Sequence, residues 1–325
     1  MQLSVLDQSP ISEGSSASQA LHNSVDLARL ADSLGYHRYW VAEHHGTPAL
    51  ACSAPEALIG PIAAATSRIR VGSGGVMLPH YSPYKVAELF TLLSNLYPGR
   101  IDLGLGRAAG TDPRTSLALQ KSRTHREPDE FPQQLVELLA YLDGSLPDDH
   151  PFARQGQLLF AQEKPEPWLL GSSAQSALWA AELGLPYAFA DFINSDGAEL
   201  ATMYRARFAG AGKKPRVMAA VWALCAETDA EAERLAQSSR MLFQLFLQGA
   251  LIAVPGVETA ERYLAANPSP FPNTRRAVVG SPATVRAGLE KVARDYGADE
   301  LMIVTICHSH AARRRSYELI ATAFS

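Results

Sequence analysis

Along the chain, short apolar runs alternate with longer stretches in which apolar residues return every three to four positions. The first pattern reads as strand and the second as amphipathic helix. Gln2 to Leu6 is the first predicted strand, ended by Gln8-Ser9-Pro10. A helix over Ala17 to Leu34 carries Leu21, Val25, Leu27, Ala28 and Leu30 near one face, and Gly35 stops it. Arg38 to Ala42 is the second strand. Ser53, three residues before Glu56, resembles a capping box for a helix to Thr66. Ile69 to Ser73 is the third strand. Ser82 and Pro83 suit the cap and first turn of a helix to Tyr97, and Ile101 to Leu105 is the fourth strand.

The second half is less regular. Thr111 to Glu130 is polar and reads as a long loop, Phe131 to Leu142 as a helix, and Asp143 to Glu166 as irregular chain. Strand five is Pro167 to Gly171, with a helix over Ser173 to Leu183. Strand six is Tyr187 to Ala190, with a helix over Asp196 to Phe208. Strand seven is Arg216 to Cys225, after which Thr228 caps a helix to Gln248. Ala250 to Ala277 is Pro-rich and reads as an insertion. Ser281-Pro282 opens a helix to Tyr296, Leu301 to Thr305 is strand eight, and a last helix ends the chain. Strands that alternate with helices imply parallel pairing with right-handed crossovers. The expected fold is α/β: a (β/α)₈ TIM barrel spanning 1–325 as one domain, with insertions after strands 4 and 7, in preference to a doubly wound sheet.

The chain has 325 residues, 47% of them hydrophobic and 19% charged, enough for a sizeable core. Net charge is -4 and no basic stripe extends beyond Arg313-Arg314-Arg315, which argues against nucleic acid as a partner. Cys52, Cys225 and Cys307 follow no metal or redox spacing and suit a reducing compartment. The chain starts directly in a strand and contains no apolar run of membrane-spanning length, so the expectation is a cytoplasmic protein without a membrane partner.

Barrel active sites lie at the C-terminal ends of the strands, which selects the residues to weigh. Strand two runs into Glu43-His44-His45. Neighbours in extended chain face opposite sides, so both imidazoles cannot enter one pocket, and metal ligation would need spaced ligands. A single histidine acting as proton donor, acceptor or hydrogen-bonding anchor is favoured, beside the plainer reading of a pair that only orders a loop. Strand three ends in Gly72-Ser73-Gly74-Gly75, which suits either a flat surface for a ring system or a tight corner. Strand four ends in Gly104-Leu105-Gly106-Arg107. These residues with Ala108-Ala109 match a dinucleotide fingerprint literally, but loop residues follow where a helix should begin. Arg107 is instead placed to grip a phosphate. Strand five ends in Gly171-Ser172-Ser173-Ala174-Gln175-Ser176, a helix start that offers N–H groups and hydroxyls to an anion, or is an ordinary Ser cap. Adjacent strands would bring Arg107 and this turn to one rim.

Taken together, several stretches resemble the bacterial luciferase-like monooxygenase family: WVAEHHG (Trp40 to Gly46), VGSGGVMLPHYSPYKVAE (Val71 to Glu88), PGRIDLGLGRAAGTD (Pro98 to Asp112), LLGSSAQSA (Leu169 to Ala177), and GSPATVRAGL with ADELMIV near the C-terminus. The resemblance implies a barrel that uses reduced flavin mononucleotide (FMN), supplied by a separate flavin reductase, and dioxygen to oxidise a small organic substrate such as an aldehyde. Deazaflavin is the cofactor in other branches. It also implies that Arg107, Gly171, Ser172, Ser173 and Ser176 hold the flavin phosphate. Gly74-Gly75 would carry a non-proline cis peptide against the ring, and His44 would be catalytic with Glu43 and His45 beside it. A homodimer is the implied assembly and no metal is implied. A deazaflavin-dependent hydride-transfer enzyme, a non-catalytic flavin-binding barrel and a metal hydrolase remain as alternatives.

Overall fold

The computed structural model describes residues 1–119, 130–157, 159, 162–269 and 276–325. In chain order the elements are β1 (Gln2–Asp7), α1 (Ala17–Ser33), β2 (Arg38–Val41), α2 (Pro55–Ala65), β3 (Arg70–Met77), a 3₁₀ turn (Leu78–His80), α3 (Pro83–Leu96) and β4 (Ile101–Gly106). Then come α4 (Pro113–Leu119), α5 (Phe131–Asp143), α6 (Ala153–Gln157), β5 (Glu166–Gly171), α7 (Ala174–Glu182), β6 (Tyr187–Ala190), α8 (Ala198–Arg207) and β7 (Val217–Cys225). The chain finishes with α9 (Asp229–Leu235), α10 (Gln237–Leu247), α11 (Val257–Ala266), β8 (Ala277–Gly280), α12 (Pro282–Tyr296), β9 (Glu300–Val304) and α13 (His310–Phe324).

All strand pairs are parallel, and β1-β2-β3-β4-β5-β6-β7-β9 close into a ring through β7–β9 and β9–β1. The result is the expected (β/α)₈ barrel. A ninth strand, β8, lies outside that ring. β9 holds the lower part of β7 from Met218 to Trp222, and β8 pairs with the upper part from Trp222 to Cys225.

Period-two alternation divides the strand residues between two cores. Val5, Tyr39, Val71, Leu103, Leu169, Phe189, Val221 and Ile303 face outward and join the helices in one large cluster. Leu6, Trp40, Ala42, Trp168, Ala188, Met218, Ala220, Met302 and Val304 form a second cluster within the ring, with Leu170, Phe192 and Trp222 packed against it. Both faces of the sheet are buried, which is why the strands read as continuous apolar runs.

The strand starts close the lower end with charge. Buried Arg38 bonds Asp102 (2.8 Å), Glu166 (2.9 Å) and Glu300 (3.1 Å), and Ser4 Oγ donates to Glu300. Arg70 adds a second guanidinium on Asp102 and Arg216 one on Glu166. Trp40 Nε1 donates to Asp102 and Trp168 Nε1 to Glu166, and the two indoles pack edge to face at 5.6 Å. The charged layer is thereby capped by an aromatic one, and the space above opens at the C-terminal ends of the strands.

Several local expectations differ from the structure. Ser53 does not cap α2; Ala54 holds that position, and Pro55 begins the helix without a side-chain bond. The polar stretch after β4 contains α4, and its remainder, 120–129, lies outside the described residues. The single helix expected after Thr228 breaks into α9 and α10 at Ala236, while the Thr228 hydroxyl does accept from Glu231 N–H. The Pro-rich insertion holds α11, which packs against α10, and leads into β8, which pairs with β7.

Candidate functional site

Along β2 the inward positions alternate, Arg38 then Trp40 then Ala42, and the chain runs on into Glu43-His44-His45, where Glu43 Oε1 accepts from His45 Nε2. The adjacent histidines have separate surroundings. The His44 backbone N–H donates to Cys52 O at 2.9 Å, which anchors the turn. Its Nδ1 is sealed from solvent and has no partner among the described residues. Burial, with a contribution from neighbouring His45, pushes the His44 pKa down to about 4. At neutral pH this ring is an uncharged imidazole.

Glu43 is fully buried and its carboxylate is committed. Oε2 accepts the Met77 backbone N–H at 2.9 Å; Oε1 accepts from His45 Nε2 at 2.8 Å and from the Tyr81 hydroxyl at 3.0 Å. Burial and this carboxylate both raise the Tyr81 pKa, so the phenol stays a donor. His45 also meets His80 edge to face, with ring centroids 5.9 Å apart, and His80 Nε2 donates to Ala109 O at 2.9 Å. The loops after β2, β3 and β4 are thus tied together behind His44. Among the described residues no three His, Cys, Asp or Glu side chains gather as a cation cage.

The Gly74–Gly75 peptide is cis, and the β3–β4 register shifts there, between Gly74 and Val76. A Cβ at Gly75 would sit 2.7 Å from Gly104 O and 2.7 Å from Leu170 Cδ1. The close approach of β3 to β4 therefore requires glycine, and it leaves this wall of the ring without side chains of its own.

Arg107 follows β4 directly. Its guanidinium carbon lies 5.5 Å from the centroid of Trp179, on α7. Ser173 caps α7, accepting from the Ser176 N–H at 3.4 Å. The guanidinium and the helix that the serine turn opens are thus brought to one rim. Ser172 and Ser173 lie at the surface of that turn. Ser176 is different: its hydroxyl donates to Ser173 O at 2.9 Å and pairs with the Tyr187 hydroxyl at 2.9 Å, so it faces the interior. Gly171 leaves room for it, because a Cβ there would be 2.7 Å from Ser176 Cβ. Ser176 shapes the turn, with its hydroxyl also 3.2 Å from Ser173 Oγ.

Sequence reasoning passed over Tyr81, Trp179, Phe192 and Trp222. Trp179 lies six residues along the helix that Ser173 caps, a spacing that says little until Arg107 is seen beside it. Trp222 continues the alternation of Met218 and Ala220 on β7 and could have been read from it.

The luciferase-like monooxygenase family matches residues 1–300. The chain is 38% identical to the N-acetyl-S-alkylcysteine monooxygenase of Bacillus subtilis (strain 168), over 99% of this chain and 98% of that one. It superposes on the crystal structure of apo-MsnO8 with a TM-score of 0.90 at 45% identity, covering 99% and 98% of the two chains. At 21% identity it shares the fold, with a TM-score of 0.77, of the FMN-bound oxygenating constituent of 3,6-diketocamphane monooxygenase from Pseudomonas putida, covering 99% and 98%.

Proposed function

The chain belongs to the luciferase-like monooxygenase family, and from that premise we propose that it is a flavin-dependent monooxygenase that takes reduced FMN and dioxygen and oxidises a small organic molecule. The observation that carries this reading is the shared rim of Arg107, Trp179 and the Ser173-capped helix, together with the Gly74–Gly75 step of β3 and an imidazole that is uncharged at neutral pH.

The residues present fit the cofactor. Arg107, the Ser172 and Ser173 hydroxyls and the first-turn N–H groups of α7 would hold its phosphate. Gly74 and Gly75 would lie on the ring's side of the barrel, on a wall that Leu6 and Leu170 line with them. Bound reduced flavin supplies the electrons that activate dioxygen. The chain's own part is to hold the ring, keep bulk water out through the apolar interior of the barrel, and place His44. A ring with a pKa of about 4 carries one proton near neutrality. His44 therefore directs a hydrogen bond or accepts a proton, and is not an imidazolium acid. Glu43 and His45 act on it indirectly by fixing the loops.

A separate reductase fits the rest of the chain. Gly104 and Gly106 lie inside β4 and the next helix begins only at Pro113, so this segment is no dinucleotide-binding turn. A homodimer is part of the same reading: Leu92 and Leu96, one turn apart on α3, are 58% and 62% exposed. Sedimentation equilibrium measures it.

Anaerobic titration with reduced FMN and, in parallel, reduced deazaflavin tests the cofactor. Tight uptake of reduced FMN alone is expected, followed by reductase-dependent oxygen consumption. Preference for the deazaflavin would replace the reading with hydride transfer.

A further inference from the structure

The ring of strands fixes which walls face each other. With eight members in the order β1-β2-β3-β4-β5-β6-β7-β9, β3 stands opposite β7 and β2 opposite β6. The glycine wall at Gly74–Gly75 therefore looks across the barrel at β7, and β2, which leads into His44, stands across from β6. Toward the C-terminal ends of these opposite strands stand Phe192 and Trp222. Both pack against the interior cluster, yet both are only half-buried, whereas Met218 and Ala220 one and two steps below are buried. An inward-facing aromatic that is not enclosed borders open space. The Phe192 N–H donates to Ala220 O at 3.0 Å, which extends the β6–β7 ladder and holds Phe192 beside Trp222.

We infer that Phe192 and Trp222 form the substrate-side wall of the chamber and select a molecule that presents a neutral, apolar group next to its reacting atom. This rests on the proposed flavin site, because it takes the ring to lie on the glycine side. The wall is chemically uniform. The described members of the interior cluster are all uncharged, from Leu6 and Val304 through Leu170 to the two aromatics. The charged layer of Arg38, Asp102, Glu166 and Glu300 sits at the far end, beneath Trp40 and Trp168. Arg107 belongs to the β4–β5 side of the rim, over Trp179. His44 is uncharged at neutral pH. A carboxylate pressed against Trp222 would give up its hydration without a described partner, whereas a flat or alkyl group gains contact on both sides.

The test uses naphthalene-2-methanol and 2-naphthoate, a matched neutral and anionic pair with intrinsic fluorescence. Each is titrated into the full chain, once without flavin and once anaerobically with saturating reduced FMN. The alcohol is expected to bind about tenfold tighter than the carboxylate in both series. Trp222→Ala should weaken the alcohol by about tenfold, Trp222→Phe by less than about threefold, with reduced-FMN affinity unchanged in both variants. Trp222→Arg, a change at a half-buried position, should reverse the order of the two probes. Equal or tighter naphthoate binding to the wild-type chain, or an alcohol affinity indifferent to Trp222→Ala, overturns the inference. A wild-type chain that takes up no reduced FMN would remove the cofactor reading instead, and the flavin-free series would still decide the wall.

Discussion

The Arg107 guanidinium lies over the Trp179 ring at 5.5 Å, so the end of β4 and the body of α7 are a single piece of rim. Stacking on an aromatic ring fixes the plane of a guanidinium, and that planar cation suits bidentate contact with an anion. Arg107→Ala should weaken reduced-FMN binding by about 1.5–3 kcal/mol, the range for a hydrogen bond to a charged group. Trp179→Ala should cost about 0.5–1 kcal/mol by releasing the guanidinium. Anaerobic fluorescence titration measures both, and an unchanged affinity in Arg107→Ala takes this residue out of the site.

His44 gives a pH signature with a definite sign. Its folded pKa, about 4, lies below the usual value of 6.5 because burial disfavours the charged ring. The unfolded chain therefore binds the extra proton first, and stability falls as pH drops from 6.5 toward 4. His44→Asn should flatten that part of a urea-midpoint profile while leaving reduced-FMN affinity intact. Substrate oxidation should be impaired in the variant, and normal turnover would refute the assignment.

Glu43 is expected to matter through position. Its two oxygens hold Met77, Tyr81 and His45 together, and no solvent reaches it. Glu43→Gln keeps one acceptor but turns an amide N–H₂ toward a backbone donor or toward the Tyr81 and His45 donors. The conflict should cost about 1–3 kcal/mol of stability, as an unsatisfied buried group does. Turnover should fall while the pH dependence assigned to His44 keeps its midpoint. A shifted midpoint would mean that Glu43 acts on the proton of His44 directly.

The barrel was legible because both faces of its strands are buried, so Tyr187 to Ala190 and Leu301 to Thr305 stand out as short runs with little charge. Arg107 and the serine turn were legible because the strand-end rule names the rim before any coordinates do. Other features depend on contacts between distant segments. β8 exists only because the upper half of β7 lacks a partner once β9 ends. The pairing of the Ser176 hydroxyl with that of Tyr187, eleven residues on, is a contact that spacing in the sequence does not announce. Trp222 looked like ordinary core because alternation gives direction and not whether the space ahead is filled.

The charged layer under Trp40 and Trp168 sets the stability of the whole ring and should be separable from the chemistry above it. Arg38 neutralises Asp102, Glu166 and Glu300 at once and, itself buried, is held charged by them. Arg38→Met would leave buried carboxylates facing one another without their shared cation, and breaking a buried pair from one side costs about 3–5 kcal/mol. The same layer predicts an acid limb distinct from that of His44. Burial alone would raise the Glu166 pKa, but Arg38 and Arg216 outweigh it and bring it down to about 2. Its contribution is therefore present above the ordinary carboxylate value of 4.5 and is lost as pH falls from there toward 2. In wild-type protein, urea midpoints against pH should fall first between 6.5 and 4 and again below 4.5. His44→Asn should reduce the first decline, to which His37 and His310, also lowered by burial, contribute the rest. Glu166→Gln should reduce the second, which Asp7, Asp26 and Asp32 share, with reduced-FMN affinity at pH 7 unchanged because the layer lies at the opposite end of the strands. Loss of both declines in a single variant would mean that the two ends of the barrel do not titrate independently, against the separation that the Trp40–Trp168 layer imposes.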